Sequence, residues 1–400
     1  VKSLLSFLSP LLLASLLTLA APALRGQLFY NLAFRQRADQ GLDWVYNFEF
    51  ERANSHFEQL RREFPKHPAP YFLLATNRWW QSYITRSPHW HDYIRTRIDT
   101  ALMMNQQLKG QQSGGLEYIF FEYMCHAFHT RLHILRREWW SGANTGRKAL
   151  PYLKDCLRLA AESPEFYYSA GVYHYYAATY PRQRAYIRPI MVFFPDGNEA
   201  LGLSELEKAA ATPNFTQVEA LYYLGDIYLE RGEYALAAEI KQRLAQRYPR
   251  NTWFRVDYAR GLVYAGRFDE AEAILNQMKA EAEKIPGHEQ RIISSVESLY
   301  TTEVMVRIYH NLGFLQLQRR SRHDLAIQYF KKSNRMIALS GAQDDMYEAP
   351  NHYFMGICYD RLNLRLQAQE AFSRAADCQA NEPVKEKARP CIGQPCGEWQ

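Results

Sequence analysis

The fold class this sequence predicts is all-α, a solenoid of stacked helical hairpins. Two observations carry it. Gly232 and Gly266 stand 34 residues apart, as do Ala237 and Ala271, and Tyr234 and Phe268. A period of that length belongs to helical hairpins that cannot bury their apolar faces alone and must stack. From Leu28 onward, apolar residues recur at helical spacing, with Gly and Pro as punctuation. About eight hairpins would fill the chain.

Residues 1–26 read as a secretory signal. Lys2 precedes an apolar run from Leu4 to Leu19, and small residues follow around Ala21-Pro22-Ala23, so cleavage is expected after Ala23 or Gly26. An N-terminal membrane anchor is the alternative, against which Pro10 and the short run speak. The expectation is a periplasmic or secreted chain with no transmembrane span in its mature part.

Residues 27–212 read as a diverged helical region. Between about 34 and 65, Gly41 and Trp44 sit on a first helix, Phe48 at a turn, Ala53, Phe57 and Leu60 on a second helix, and Pro65 at its end. Pro68 and Pro70 open a helix through Tyr71, Leu74, Trp79 and Tyr83, which Pro88 breaks. Another helix runs from about His91 to Leu108. The polar stretch from Lys109 to Gly115 is a loop. A helix from about Leu116 to Trp140 follows, with a buried seam of Phe121, Met124, Phe128, Leu132, Leu135 and Trp139.

On that helix Glu122, His126, His129 and His133 form a second stripe about 110° from the seam. Spacings of four, three and four put them on one face, which metal ligation from a helix requires. A second helix would have to donate further ligands, and no sequence feature identifies it. The competing reading is hydrogen bonding to a neighbouring helix, so no metal and no cofactor is expected. After Gly142 the sequence predicts a helix from Arg147 to Ala161. Then comes a tyrosine-dense helix with Tyr167, Tyr168, Tyr173, Tyr175, Tyr176 and Tyr180, a proline-broken segment from Ile187, and a helix opening near Gly202.

Residues 213–285 form the tandem, and its core runs from Val218 to Ile285. Leu221, Leu224, Ile227 and Tyr228 make one apolar stripe, Gly232 ends that helix, and Tyr234, Ala237 and Leu244 mark the second, which stops at Pro249. The copy repeats this with Ala259, Leu262, Gly266, Phe268, Ala271 and Leu275. In these residues the sequence resembles the tetratricopeptide repeat family. The resemblance implies a right-handed superhelical solenoid that serves as a binding scaffold. A further likeness, over about forty residues before the tandem, is to the middle of Iml2/TTC39-type tetratricopeptide proteins.

Residues 286–380 read as further repeat-like helices. Pro286-Gly287 marks a hinge, a long helix runs from about Gln290 to Arg319, and a second carries Asp324, Ala326, Phe330 and Met336. Ser340 to Asp345 is a loop. In the last unit Gly356, Tyr359, Ala368, Phe372 and Ala375 stand at the family's intervals. Residues 381–400 are a Cys-, Pro- and Gly-rich tail in which regular helix is not expected. The chain has six cysteines, and an exported chain permits disulfides among them. Six allow 15 pairings. Cys378, Cys391 and Cys396 crowd the end, so a disulfide-pinned tail is expected to cap the last repeat.

Composition bounds the function. The chain is 47% apolar and 22% charged, which is globular. Its net charge of +6 is scattered, and no basic run with interleaved aromatics tracks a phosphate backbone, so nucleic acid is excluded as a partner. Signatures of a nucleophile elbow, a phosphate loop or a helix-borne metalloprotease site are missing from the sequence. The chain is therefore read as a scaffold and not an enzyme, with a protein or peptide partner. The resemblance implies that first-helix residues line a concave groove, and by position these are Tyr222, Asp226, Glu230, Trp253, Asp257, Arg260, Tyr264, Tyr353, Asp360 and Arg361. Their mix of aromatics and both charge signs suits an extended peptide. The alternative is a glycan- or small-ligand-binding or hydrolysing protein that uses the aromatic N-terminal half, including Trp79 and Trp80.

Overall fold

The computed structural model describes residue 28 and residues 31–109, 115–161, 163–183, 188–192, 194–285, 299–319, 322–340, 346–378 and 382–396. The signal segment, the Pro286-Gly287 hinge and the loop before Met346 lie outside these residues. The described residues are all-α. The helices are α1 Leu32–Tyr46, α2 Phe50–Glu63, α3 Pro68–Thr85, α4 His91–Leu108, α5 Gly115–Leu135, α6 Trp139–Leu159, α7 Tyr167–Gln183, α8 Glu199–Ala211 and α9 Gln217–Glu230. They continue with α10 Tyr234–Arg247, α11 Thr252–Tyr264, α12 Phe268–Glu283, α13 Thr302–Gln318, α14 His323–Ser340, α15 Glu348–Arg361, α16 Arg365–Asp377 and α17 Glu382–Gly393. In sequence order they fall into eight pairs, followed by α17. No helix among the described residues is long and apolar enough to cross a membrane.

One turn geometry recurs between paired helices. Phe48, Arg86, Arg137 and Asn363 adopt positive φ of 62°, 54°, 61° and 58°, as Gly232 and Gly266 do at 76° and 74°. The residue that follows closes the turn in five pairs. Glu49, Glu138, Glu233, Arg267 and Leu364 donate their N–H to the carbonyls of Trp44, His133, Tyr228, Leu262 and Tyr359. These bonds satisfy carbonyls that the helix end leaves without a partner. The turn is thus a property of the hairpin, and glycine is only its least strained occupant.

The chain divides into two compact units, residues 1–80 with 88–220, and residues 81–87 with 221–400. In the first unit, consecutive helices α4 to α8 pack in chain order. Glycines set the closest approach. A Cβ at Gly202 would lie 2.4 Å from the Tyr175 nitrogen, and one at Gly171 would lie 2.8 Å from Leu206. Two expectations are corrected here. The helix expected to reach Trp140 ends at Leu135, where Arg137 reverses the chain, so Trp139 opens α6 and is 64% exposed instead of joining the seam. α6 also runs through Gly142 and Gly146, which face α5 at ordinary contact distance: a Cβ at Gly142 would sit 3.5 Å from His133 and 3.6 Å from Ile134.

In the second unit α11, α13 and α15, the first helices of successive pairs, pack on one another as well as on their own partners. Leu262, Leu315, Phe330, Tyr353, Phe354 and Phe372 form a continuous core with Ala388 and Cys391 of α17. The tail was expected to be irregular, yet α17 is helical through Pro390. Pro383 lies in its first turn, where the missing N–H has no partner to lose, and Pro390 lies in the last. Arg365 then satisfies the helix end by donating to the carbonyls of Cys391 and Ile392 at 2.8 Å each. Cys391 is disulfide-bonded to Cys396. Cys125, Cys156 and Cys358 are buried thiols, and Cys378 is a half-buried one.

Candidate functional site

Three pairs lay a phenylalanine ring over a glycine of the preceding helix. A Cβ at Gly41, Gly313 or Gly356 would lie 2.1, 2.7 or 2.6 Å from the ring of Phe57, Phe330 or Phe372. No side chain fits there. In the pair α9 and α10 the same place is taken by Gly225 and Lys241. The Lys241 stem runs between two glycines: a Cβ at Gly225 would lie 3.1 Å from its Cγ, and one at Gly261 would lie 3.5 Å from its Cδ. Its ammonium therefore passes between α9 and α11 to two carboxylates. Nζ donates to Asp226 at 2.7 Å and to Asp257 at 3.2 Å, with the lysine side chain 2% exposed.

A buried charge is stable only when paired and hydrogen-bonded, and the cluster grows to meet that demand. Arg260 of α11 donates to Asp226 at 2.7 Å, and its Nε lies 3.8 Å from Asp257. Arg307 of α13 lies 3.6 Å from Asp257, donates to the Tyr347 hydroxyl at 2.9 Å, and stacks on Trp253 with its guanidinium carbon 4.0 Å from the ring centroid. Trp253 in turn donates its indole N–H to the Tyr222 hydroxyl at 3.2 Å. Beside them the ring of His310 meets Asn351 Oδ1 at 2.7 Å.

The electrostatics follow from these contacts. Burial alone would raise the Asp257 pKa, but Lys241, Arg260 and Arg307 overcome it and hold the carboxyl at about 2. Burial pushes His310 down to about 4, with the nearby arginines adding to it and the Asn351 hydrogen bond opposing, so the ring is neutral at pH 7. The cluster thus brings two carboxyl groups together with one lysine and two arginines.

Residues 228–286 match the family model of the tetratricopeptide repeat. That stretch is a tetratricopeptide repeat region. No curated protein matches the sequence. Among solved structures the chain is similar to human IFIT1, determined as a dimer with PPP-AAAA, at 14% identity over 82% of this chain and 68% of that chain, TM-score 0.36. It is similar to the C-terminal part of a TPR repeat-containing protein from Cytophaga hutchinsonii at 14% identity over 89% and 98% of the two chains, TM-score 0.26. Yeast Tom70 shares 10% identity over 90% and 94%, TM-score 0.26.

The hairpins distribute the expected groove residues unevenly. Tyr222, Asp226, Trp253, Asp257 and Arg260 converge on the charged cluster. Trp253 is fully buried and Asp257 is 3% exposed, so neither presents a free face to a peptide. Glu230 and Tyr264 are exposed, and the Tyr264 ring pairs with Tyr234 at 5.6 Å. In the last hairpin Tyr353 is buried against Phe354 and Phe372. Asp360 accepts from Arg365 and from the Cys396 N–H at 3.0 Å, so it staples the tail instead of facing a groove. Arg361 is half-buried at the end of α15. The sequence reading missed Lys241, Arg307, Tyr347 and His310. A signal existed for the first, since Lys241 follows Gly225 by the interval that separates Phe57 from Gly41.

The Glu122 stripe does not converge. Glu122 accepts from Asn105 and Gln106 at 3.1 and 2.6 Å, with His126 3.6 Å away. His129 faces Asp99 at 3.3 Å, and His133 meets Glu138 at 2.7 Å. Each histidine faces a different partner, and no group of three or more possible metal ligands exists among the described residues. Trp80 is buried against Tyr46, and Trp79 packs on Phe128. His174 pairs with Glu205 at 2.7 Å and Tyr173 donates to the Pro195 carbonyl, so these residues of α7 are engaged in packing.

Proposed function

We propose that this protein is an exported, non-catalytic tetratricopeptide scaffold of the bacterial cell envelope. It holds an extended peptide segment of a protein partner along the first helices of its second unit. The observation that carries the reading is the charged and aromatic cluster spread over α9, α11 and α13. Three successive first helices contribute to one polar surface whose rim, Asp226, Arg260, Glu230 and Tyr264, reaches solvent. Its buried part, Lys241, Asp257 and Arg307, fixes that rim in place. Preformed pairs of this kind suit recognition by hydrogen bonding and stacking at low ordering cost. Export is supported by the apolar run near the start of the sequence and by the Cys391–Cys396 disulfide, which suits an oxidising compartment.

The test is capture from an envelope extract by the purified chain, with crosslinking and mass spectrometry to place the contact. Glu230→Lys with Tyr264→Phe keeps the ring contacts with Tyr234 and Phe314 and should abolish capture while leaving thermal stability nearly unchanged. Undiminished capture by that variant would place the partner elsewhere on the chain.

A further inference from the structure

The turn between α5 and α6 presents an apolar surface that the groove reading does not use. α6 opens on two adjacent tryptophans, Trp139 at 64% and Trp140 at 90% exposure, and Ile134 of α5 is 47% exposed. The Ile134 side chain lies 3.6 Å from the Cβ position of Gly142. Gly142 is three residues beyond Trp139 and shares its face of α6. Ile134 therefore extends the apolar surface of Trp139. Single exposed apolar residues need no explanation, but a contiguous patch containing two indoles marks a contact surface.

We propose that this turn docks on an anionic phospholipid bilayer, with Trp139 and Trp140 entering the interface. Three features select a bilayer as the occupant. First, the tryptophans sit at the end of a hairpin, flanked by exposed Arg136, Arg137, Ser141 and Asn144. A protruding tip suits a fluid surface that closes around it. Second, an indole places an apolar body in the acyl boundary while its N–H stays among headgroups. Glu138, the acid nearest the tryptophans in sequence, is held by His133 at 2.7 Å and Arg136 at 2.8 Å, which compensates its charge.

Third, the charge is complementary. Between residues 136 and 148 stand Arg136, Arg137, Arg147 and Lys148 against Glu138, and Asp92 of α4 faces Arg136 at 3.8 Å, so the cations outnumber the acids by two. Arg147 is seven residues beyond Trp140 and lies on the same helical face, about 10 Å along the axis. Arg147 donates to Asn144 Oδ1 at 3.2 Å, and among the described residues it makes no ion pair with a carboxylate, so its guanidinium is placed to meet lipid phosphates.

The experiment is flotation of the full chain with vesicles of phosphatidylcholine containing phosphatidylglycerol, against vesicles of phosphatidylcholine alone. Tryptophan emission is followed in parallel. The expected result is preferential binding to the anionic vesicles, weakened by salt, with a blue shift of emission. Trp139→Ala/Trp140→Ala should lower partitioning about tenfold or more at unchanged helicity, since both residues are exposed. Arg147→Glu/Lys148→Glu should remove the preference for anionic lipid while the tryptophans are intact. Failure to bind anionic vesicles, or equal binding by the tryptophan variant, overturns the proposal. So does a glycan or a purified protein whose binding is lost in that variant while vesicle binding is not.

Discussion

Replacing Asp257 by alanine tests whether the charged cluster holds the second unit together. The substitution removes the carboxylate 3.2 Å from Lys241 and 3.6 Å from Arg307. It leaves two nearly buried cations with Asp226 as the remaining acid of the cluster. Breaking a buried pair from one side costs about 3–5 kcal/mol, which for a unit of this size lowers the melting temperature by about 10 °C. The pH dependence should change with it. The Asp257 carboxyl lies at about 2, below its ordinary value of 3.8. Its contribution, about 2 kcal/mol, is therefore complete above pH 4 and lost as pH falls through 2. Asp257→Ala should lack that acid limb. Lys241→Met combined with Asp257→Asn should be less destabilised than the sum of the two single variants, because the pair is removed together. Calorimetry and denaturant titration read all three. Strict additivity, or a loss below about 1 kcal/mol for Asp257→Ala, would refute the account.

Other expectations follow from burial and backbone geometry. Burial lowers His310 and His352 to about 4. Between about pH 4 and 6.5 the unfolded chain binds protons that the folded one does not, so stability rises with pH across that window, by on the order of 1–2 kcal/mol per histidine between pH 5 and 7. Urea titrations of wild type and His310→Gln should show the slope and its reduction. Gly313→Ala places a Cβ 2.7 Å from the Phe330 ring and should cost about 1–3 kcal/mol through overpacking, measured as a fall in urea midpoint. Arg137 stands at φ 61°, and Arg137→Gly should raise stability by about 1 kcal/mol by relieving that conformation, detectable in the melting temperature. Alkylation of the native chain should label Cys378 alone. Labelling of Cys125, Cys156 and Cys358 should require unfolding, and that of Cys391 and Cys396 should also require reduction.

Helix positions were legible in the sequence wherever the apolar period was interrupted by an unambiguous breaker. Gly232, Gly266, Pro249 and Pro88 end helices as read. The turn at Phe48, which carries no glycine, was read from the repeat spacing, but the turn at Arg137 was not. Arg137 reverses the chain in the conformation glycine takes elsewhere, so the sequence ran one helix on to Trp140 and placed Trp139 in a core it does not reach. The reading failed again at Gly142 and Gly146, where glycine lies inside a helix instead of stopping it, because contact with α5 is invisible to a one-dimensional pattern. For the candidate site, position on the first helices picked out five residues that the structure brings together but gave no access to exposure. Trp253 fell in the core because Tyr222 and Arg307 of neighbouring first helices cover it, and Tyr353 because Phe372 of its own hairpin does. Arg307 was hidden in an apolar run, Val304 to Leu312, where a charge becomes intelligible only beside Asp257 and Trp253.

The path of Lys241 between Gly225 and Gly261 makes two adjacent repeats interdependent. Its ammonium belongs to one hairpin, but one of its two carboxylates belongs to the next. In a linear array whose stability is a sum of repeat and junction terms, this junction has an energy that vanishes when either neighbour is absent. A chain ended after Pro249 would keep a lysine with half its counter-charge missing. Inserting a consensus repeat at that point would separate the ammonium from Asp257 altogether. The pair is therefore the smallest piece of this region that could be transplanted, and folding initiated in one hairpin is drawn across the boundary into the other.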